Sequence, residues 1–134
     1  MLYPVVIHQE GESAYGVIVP DIPGCFSAGD TLEEALSNVR EAIDLQLESF
    51  VEDDEDIPSA SDMKSLSNDP EYSGGIWALV DIDITQYLGK ADRLNITLPH
   101  NLVYRIDKKV SDNKLFKNRS QFLAEASLRL LAIS

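Results

Sequence analysis

Residues 31–51, TLEEALSNVREAIDLQLESFV, decide the fold class. Leu32, Ala35, Leu36, Val39, Ala42, Ile43, Leu47 and Phe50 recur at steps of three and four, which puts them on one stripe of a helix. Glu33, Glu34, Glu41, Asp44 and Glu48 occupy its other faces. Thr31 and Glu34 stand at the Ser/Thr-x-x-Glu spacing of a capping box, so the helix opens there. It is expected to end near Val51, because EDDED (52–56) would set five carboxylates at the negative end of the helix dipole. That run is expected to fray into a loop.

Upstream of the helix the pattern changes to strands. Residues 2–9 (LYPVVIHQ) and 14–20 (AYGVIVP) are apolar and β-branched, and Gly11-Glu12-Ser13 between them reads as a hairpin turn. Pro4 points to an edge position or a bulge, since it has no N–H for a ladder. PDIPGC (20–25) is turn-rich, and a short third strand fits Cys25–Ala28. Downstream, 57–75 is rich in Pro, Ser, Asp and Gly, with one helical turn expected at Ser61–Leu66. IWALVDIDI (76–84) is a further strand, and TQYLGKAD (85–92) reads as a linker hinged at Gly89. Strands followed by one long helix make residues 1–84 an α+β domain.

The chain has 134 residues, room for one to two small domains. Hydrophobic residues make up 44%, enough for a packed core. No apolar run approaches the ~18 residues of a membrane helix. MLYPVVIHQE (1–10) has neither a basic n-region nor a small-residue cleavage site, so no signal peptide is expected. Cys25 stands alone, which excludes an internal disulfide, and no Cys/His zinc spacing exists. These features fit a soluble, cytoplasmic protein with no cofactor and no membrane partner.

The net charge of −12 is unevenly spread. Residues 1–89 hold two basic and nineteen acidic side chains, a net of −17. Residues 90–134 hold nine basic and four acidic ones, a net of +5. Such a division implies two partners of opposite charge: a basic protein for the first part and a polyanion such as DNA for the second.

In the basic part, RLNITLP (93–99) alternates Leu94, Ile96 and Leu98 with Arg93, Asn95 and Thr97, as a strand does. Pro99 suits the start of a helix, striped by Leu102, Val103, Ile106 and Val110 through about Ser111. Asn118 is an N-cap for a second helix, 119–132, with Phe122, Leu123, Ala126, Leu130 and Ile133 as its apolar side. A lone strand leaves both edges unpaired, and a unit of this size is near the limit for folding alone. Two copies resolve both difficulties if their strands pair as an antiparallel ribbon over the helices. The ribbon's outer face then shows Arg93, Asn95 and Thr97 twice about a two-fold axis. A two-stranded ribbon fits the major groove, where Arg reads guanine, Asn reads adenine, and Thr bonds a base or touches a thymine methyl. Asn118, Arg119 and Ser120 offer backbone N–H groups and a cation to a phosphate.

Residues 90–134 thereby resemble ribbon-helix-helix DNA-binding domains. The resemblance maps base reading onto Arg93, Asn95 and Thr97, and the phosphate anchor onto Asn118, Arg119 and Ser120. That family often has Gly in the loop before its second helix; this chain has Phe116-Lys117. VIVPDIPGCFSAGDTLEEALSNVREAI (17–43) resembles the HicB antitoxin family, and NDPEYSGGIWALVDIDITQYLGKADRLNITLP (68–99) is similar to its members with a ribbon-helix-helix tail. The resemblance implies a partial RNase-H-like domain over 1–84, a linker over 85–92, and a DNA-binding and dimerising unit over 93–134. It implies an antitoxin without enzymatic activity that occludes a small, basic, mRNA-cleaving toxin of the HicA type and represses the shared operon. A homodimer through the C-terminal strand is implied, and a tetramer if the N-terminal domains also pair. Candidate toxin contacts are the acids Glu33, Glu41, Asp44, Glu48, Glu52, Asp53 and Asp54.

Other signals read as structural. Asp81 and Asp83, two apart on a strand, with Glu33 or Glu34 could imitate the carboxylates of an RNase-H-like metal site. No pattern fixes a third carboxylate beside them, so no catalytic or metal-binding residue is expected. His8 and His100 lack a nucleophile at recognisable spacing, and Cys25 reads as a buried, inert thiol. Tyr15, Phe26 and Trp77 could line a partner surface, but aromatics in strands are more often core. The principal rival is a free-standing ribbon-helix-helix repressor whose acidic domain senses a small ligand. A second rival is an RNase-H-like nuclease.

Overall fold

The computed structural model describes residues 1–113 and 115–133. The chain divides into two compact units, Met1–Tyr87 and Leu88–Ser134. In the first unit β1 (Leu2–Gln9), β2 (Tyr15–Ile18), β3 (Phe26–Gly29) and β4 (Ile76–Asp81) form one antiparallel sheet in the order β3-β2-β1-β4. β1 is therefore an interior strand, not an edge. Its pairing with β2 covers only Val6–Gln9, however, so Pro4 has a strand neighbour on the β4 side alone. A residue without an N–H is tolerated where one ladder is missing.

The helix α1 (Leu32–Glu52) starts where the capping box places it: the Thr31 hydroxyl accepts from the Glu34 N–H at 3.1 Å. Its Ala35, Val39, Ile43 and Leu47 are fully buried. The β register puts Tyr3, Val5 and Ile7 on one sheet face with Val17 and Val80, and all five are buried against that stripe. Each fully buried Val, Ile or Leu contributes about 1.5–3 kcal/mol, so this seam carries the stability of the unit. Gly29 makes the close approach possible. A Cβ there would lie 2.4 Å from the Ala35 backbone nitrogen. The Asn38 amide donates to the Ala28 carbonyl at 2.9 Å, and the Tyr3 hydroxyl to the Pro58 carbonyl at 2.6 Å.

The end of α1 is ordered rather than frayed. Asp54 takes a left-handed φ of 54°, and the N–H groups of Asp54 and Glu55 return to the carbonyls of Val51 and Phe50. This is a Schellman closure with Asp in place of the usual Gly. α2 (Met63–Leu66) and a 3₁₀ turn at Pro70–Tyr72 follow. β4 stops at Asp81, three residues short of the strand read from the alternation. The chain turns because the Asp83 carboxylate accepts from the Thr85 N–H (3.2 Å) and hydroxyl (2.6 Å), capping a 3₁₀ turn at Ile84–Tyr87. Residues 85–87, expected in the linker, thus belong to the first unit, with Ile84 and Tyr87 buried.

The second unit holds α3 (His100–Asn113) and α4 (Arg119–Ile133). Pro99 precedes α3 and its carbonyl accepts from the Leu102 and Val103 N–H groups, both at 3.1 Å. The strand expected over 93–99 does not form within a single chain: residues 91–99 join no ladder. Before α4, Phe116 meets Phe122 edge to face at 5.1 Å, so the described part of the loop closes on an aromatic contact without Gly. Lys114 and the side chain of Ile133 lie outside the described residues. Among the described residues of this unit, Ile106 is the single buried apolar side chain. Leu94, Ile96 and Leu130 are 76%, 61% and 67% exposed.

Candidate functional site

The first unit presents two candidate surfaces, one anionic and one largely apolar. One runs along α1. At 3.6 residues per turn, Glu33, Glu41, Asp44, Glu48 and Glu52 fall within an arc of about 100°. Asp53 and Asp54 continue it at the C-terminus, and no basic residue occupies the last turn. All but the half-buried Asp44 are exposed. Asp44 accepts from the Tyr87 hydroxyl at 2.6 Å. Burial, followed by that bond and the charges of Asp44 and Glu48, raises the Tyr87 phenol above its ordinary value. The unit has two basic side chains, Arg40 and Lys64, and Arg40 donates to the Asp81 carbonyl at 2.6 Å.

The second surface lies on the sheet face opposite α1, and only the strand register assembles it. The register groups Val6, His8, Ile18 and Phe26 there. Phe26, read as core, is 71% exposed, and Ile18 is 42% exposed. The segment before β4 covers only part of this face. Gly75 sits so close to Val6 that a Cβ would meet its Cγ2 at 2.3 Å, and Tyr72 stands edge-on to Trp77 at 5.6 Å. What remains is a largely apolar groove of about 490 Å³ between the 20–25 turn and Tyr72. Asp21, Asp69 and Glu71 border it in sequence. Burial first, then the charges of Glu71, Asp69 and Asp21, raise the Tyr72 phenol. Asp21 is fixed by bonds from the Ser61 N–H (2.8 Å) and hydroxyl, and Asp69 by the Glu71 N–H (3.0 Å). Alternation within each strand does not pair Ile18 with Phe26; their shared face follows from the β2–β3 register.

In the second unit Arg93, Asn95 and Thr97 are all exposed. Ile96 and Leu98 border a small cavity of about 150 Å³ with Val103, Ile106 and Leu123. Asn118 caps α4 as read, its Oδ1 accepting from the Gln121 N–H at 2.9 Å, while the Gln121 side chain accepts from the Lys117 N–H at 2.6 Å. Ser120 is exposed. Arg119 is bound bidentately by Asp107, so the expected phosphate anchor already holds an internal carboxylate.

Cys25 is buried, which pushes its thiol up to about 11. Asp81 lies 3.5 Å from the N-terminal amine, and Asp83 serves the 3₁₀ cap, so the two do not share a strand face. Among the described residues no three His, Cys, Asp or Glu side chains gather as a metal site. No described helix is long and apolar enough to cross a membrane.

These features define a two-unit α+β protein: a four-stranded antiparallel head with one anionic and one largely apolar surface, and a cationic two-helix tail. The chain belongs to the HicB-like antitoxin family of bacterial toxin–antitoxin systems, whose family model matches residues 3–127. It is 47% identical over 133 residues to a 14.9 kDa protein of the rep-hol intergenic region of Haemophilus phage HP1, covering 98% of this chain and 99% of that one. Its fold is similar to the Burkholderia pseudomallei antitoxin HicB, with a TM-score of 0.75 and 40% identity over 98% of both chains. It also resembles a chain of the HicA3–HicB3 toxin–antitoxin complex, with a TM-score of 0.53 and 34% identity over 62% of this chain and 99% of that one.

Proposed function

We propose that this chain is the antitoxin of a toxin–antitoxin pair, with its two units serving two partners. The first unit, a partial RNase-H-like domain without catalytic activity, binds and occludes a HicA-like mRNA-cleaving toxin. The second pairs with its copy through residues 93–99, completing a ribbon-helix-helix that binds palindromic operator DNA and represses the operon. The observation that carries this reading is the asymmetry of the two units. The anionic one has a complete core, whereas the cationic one leaves Leu94 and Ile96 uncovered and an alternating segment without a ladder. Pairing two such segments would satisfy their backbone groups and bury those side chains. The likeness to a chain of the HicA3–HicB3 complex supports a toxin partner.

The test is to co-express the chain with its adjoining reading frame, tag only this chain, and assay the purified material. A small basic partner with silent ribonuclease activity and a shift of promoter DNA are expected. A chain cut after Tyr87 keeps the silencing and loses the shift. Loss of silencing in a truncated chain that still melts cooperatively overturns the division of labour.

A further inference from the structure

We propose that the groove between the 20–25 turn and Tyr72 is where the toxin docks, receiving an apolar side chain flanked by Lys or Arg. This rests on the reading of the first unit as the toxin-binding unit, and it names the contact surface within that unit. Three observations converge on it. The groove has about 490 Å³ of room, enough for a side chain to enter. Its wall includes Phe26, an aromatic left 71% exposed beside the half-covered Ile18. Apolar surface of this kind, held concave by a rigid sheet, is the form of an interface anchor rather than of a solvated strand.

The third observation is the sign of the rim. Asp21 lies between Pro20 and Ile22, which line the groove, and Glu71 adjoins Tyr72. Asp21 and Asp69 are held in place by hydrogen bonds from Ser61 and Glu71. Tyr72 lines the groove, and the charges of Glu71, Asp69 and Asp21 all act on it, so the field at this end of the groove favours a cationic partner over an anionic one. The acids of α1 differ in that they line the convex surface of a helix. They suit long-range attraction of a basic protein, and the groove suits the contact that holds it.

The experiment titrates the full-length chain with the purified product of the adjoining reading frame, by calorimetry at several salt concentrations. Phe26→Ala and Tyr72→Ala are expected to weaken binding by about tenfold or more. Asp69→Asn combined with Glu71→Gln is expected to weaken it at low salt and flatten its salt dependence. Thermal melts check the fold of each variant, and the exposure of Phe26 makes Phe26→Ala the safest of them. Wild-type binding with Phe26→Ala and Tyr72→Ala within about twofold overturns the groove and leaves the antitoxin reading standing. Absence of wild-type binding overturns both.

Discussion

The Arg119 guanidinium grips the Asp107 carboxylate through two parallel bonds, Nε to Oδ1 at 2.6 Å and Nη2 to Oδ2 at 2.7 Å. The pair ties the start of α4 to the middle of α3. It also occupies the cation that a ribbon-helix-helix would turn toward a phosphate. Both side chains remain largely exposed, at 62% and 44%, so the pair adds little stability. Its weight falls on where the positive charge points.

Asp107→Asn is therefore expected to tighten binding to promoter DNA while changing the melting temperature only slightly. The variant removes one negative charge and releases Arg119, so the salt dependence of binding should steepen by about one phosphate contact. The Asp107 carboxyl is held below its ordinary value, chiefly by the hydrogen bonds from Arg119. Its contribution to folding is thus present above the ordinary carboxylate value and is lost as pH falls through the folded one. The melting difference between wild type and variant should vanish in acid. Weaker DNA binding by the variant would show that the ion pair positions α4 for the phosphate instead.

Arg93→Ala and Asn95→Ala are each expected to cost about 1–3 kcal/mol in operator binding, with toxin binding unchanged. Both side chains are exposed, so neither substitution opens the core. The comparison is an operator titration beside a toxin titration on the same preparations. Equal loss in both would mean that the fold, not base reading, was damaged.

How much of this was legible in sequence depended on what each signal depends on. α1 was readable because Ala35, Val39, Ile43 and Leu47 repeat with the helix, and Thr31 marks its start. The end of β4 was not. VDIDI keeps alternating past Asp81, and alternation does not register that the Asp83 carboxylate turns the chain at Thr85. For Phe26 the strand pattern favours the core over a partner surface, because aromatic strand residues are usually core. Its exposure depends on how far a distant loop, pinned where Gly75 meets Val6, extends across the sheet. Residues 93–99 show a strand's pattern yet join no ladder in the chain, because alternation alone does not supply a pairing partner. The engagement of Arg119 escaped because its partner stands twelve residues away on another helix.

Cys25 should resist alkylation in the folded protein. It is 3% exposed, and burial pushes its thiol up to about 11, so the thiolate is scarce at neutral pH. Iodoacetamide at pH 7.5 is expected to label it rapidly in denaturant and slowly without. Equal rates in both conditions would mean that the 20–25 turn opens freely.

Tyr87→Phe tests whether the 3₁₀ turn is fastened to α1. The substitution deletes the bond to Asp44 and leaves a half-buried carboxylate without that donor, a loss of about 1 kcal/mol in urea unfolding. The pH dependence gives a sharper readout. Burial, aided by Asp44 and Glu48, holds the Tyr87 phenol above the value it has unfolded. The folded state therefore keeps a proton that the unfolded state gives up in alkali. The stabilisation is complete below about pH 10 and declines as pH rises toward the folded value. Wild type should lose stability between pH 9 and 11 more steeply than Tyr87→Phe, so the gap between their urea midpoints narrows. Parallel profiles across that range would place Tyr87 in solvent and detach the turn from the helix.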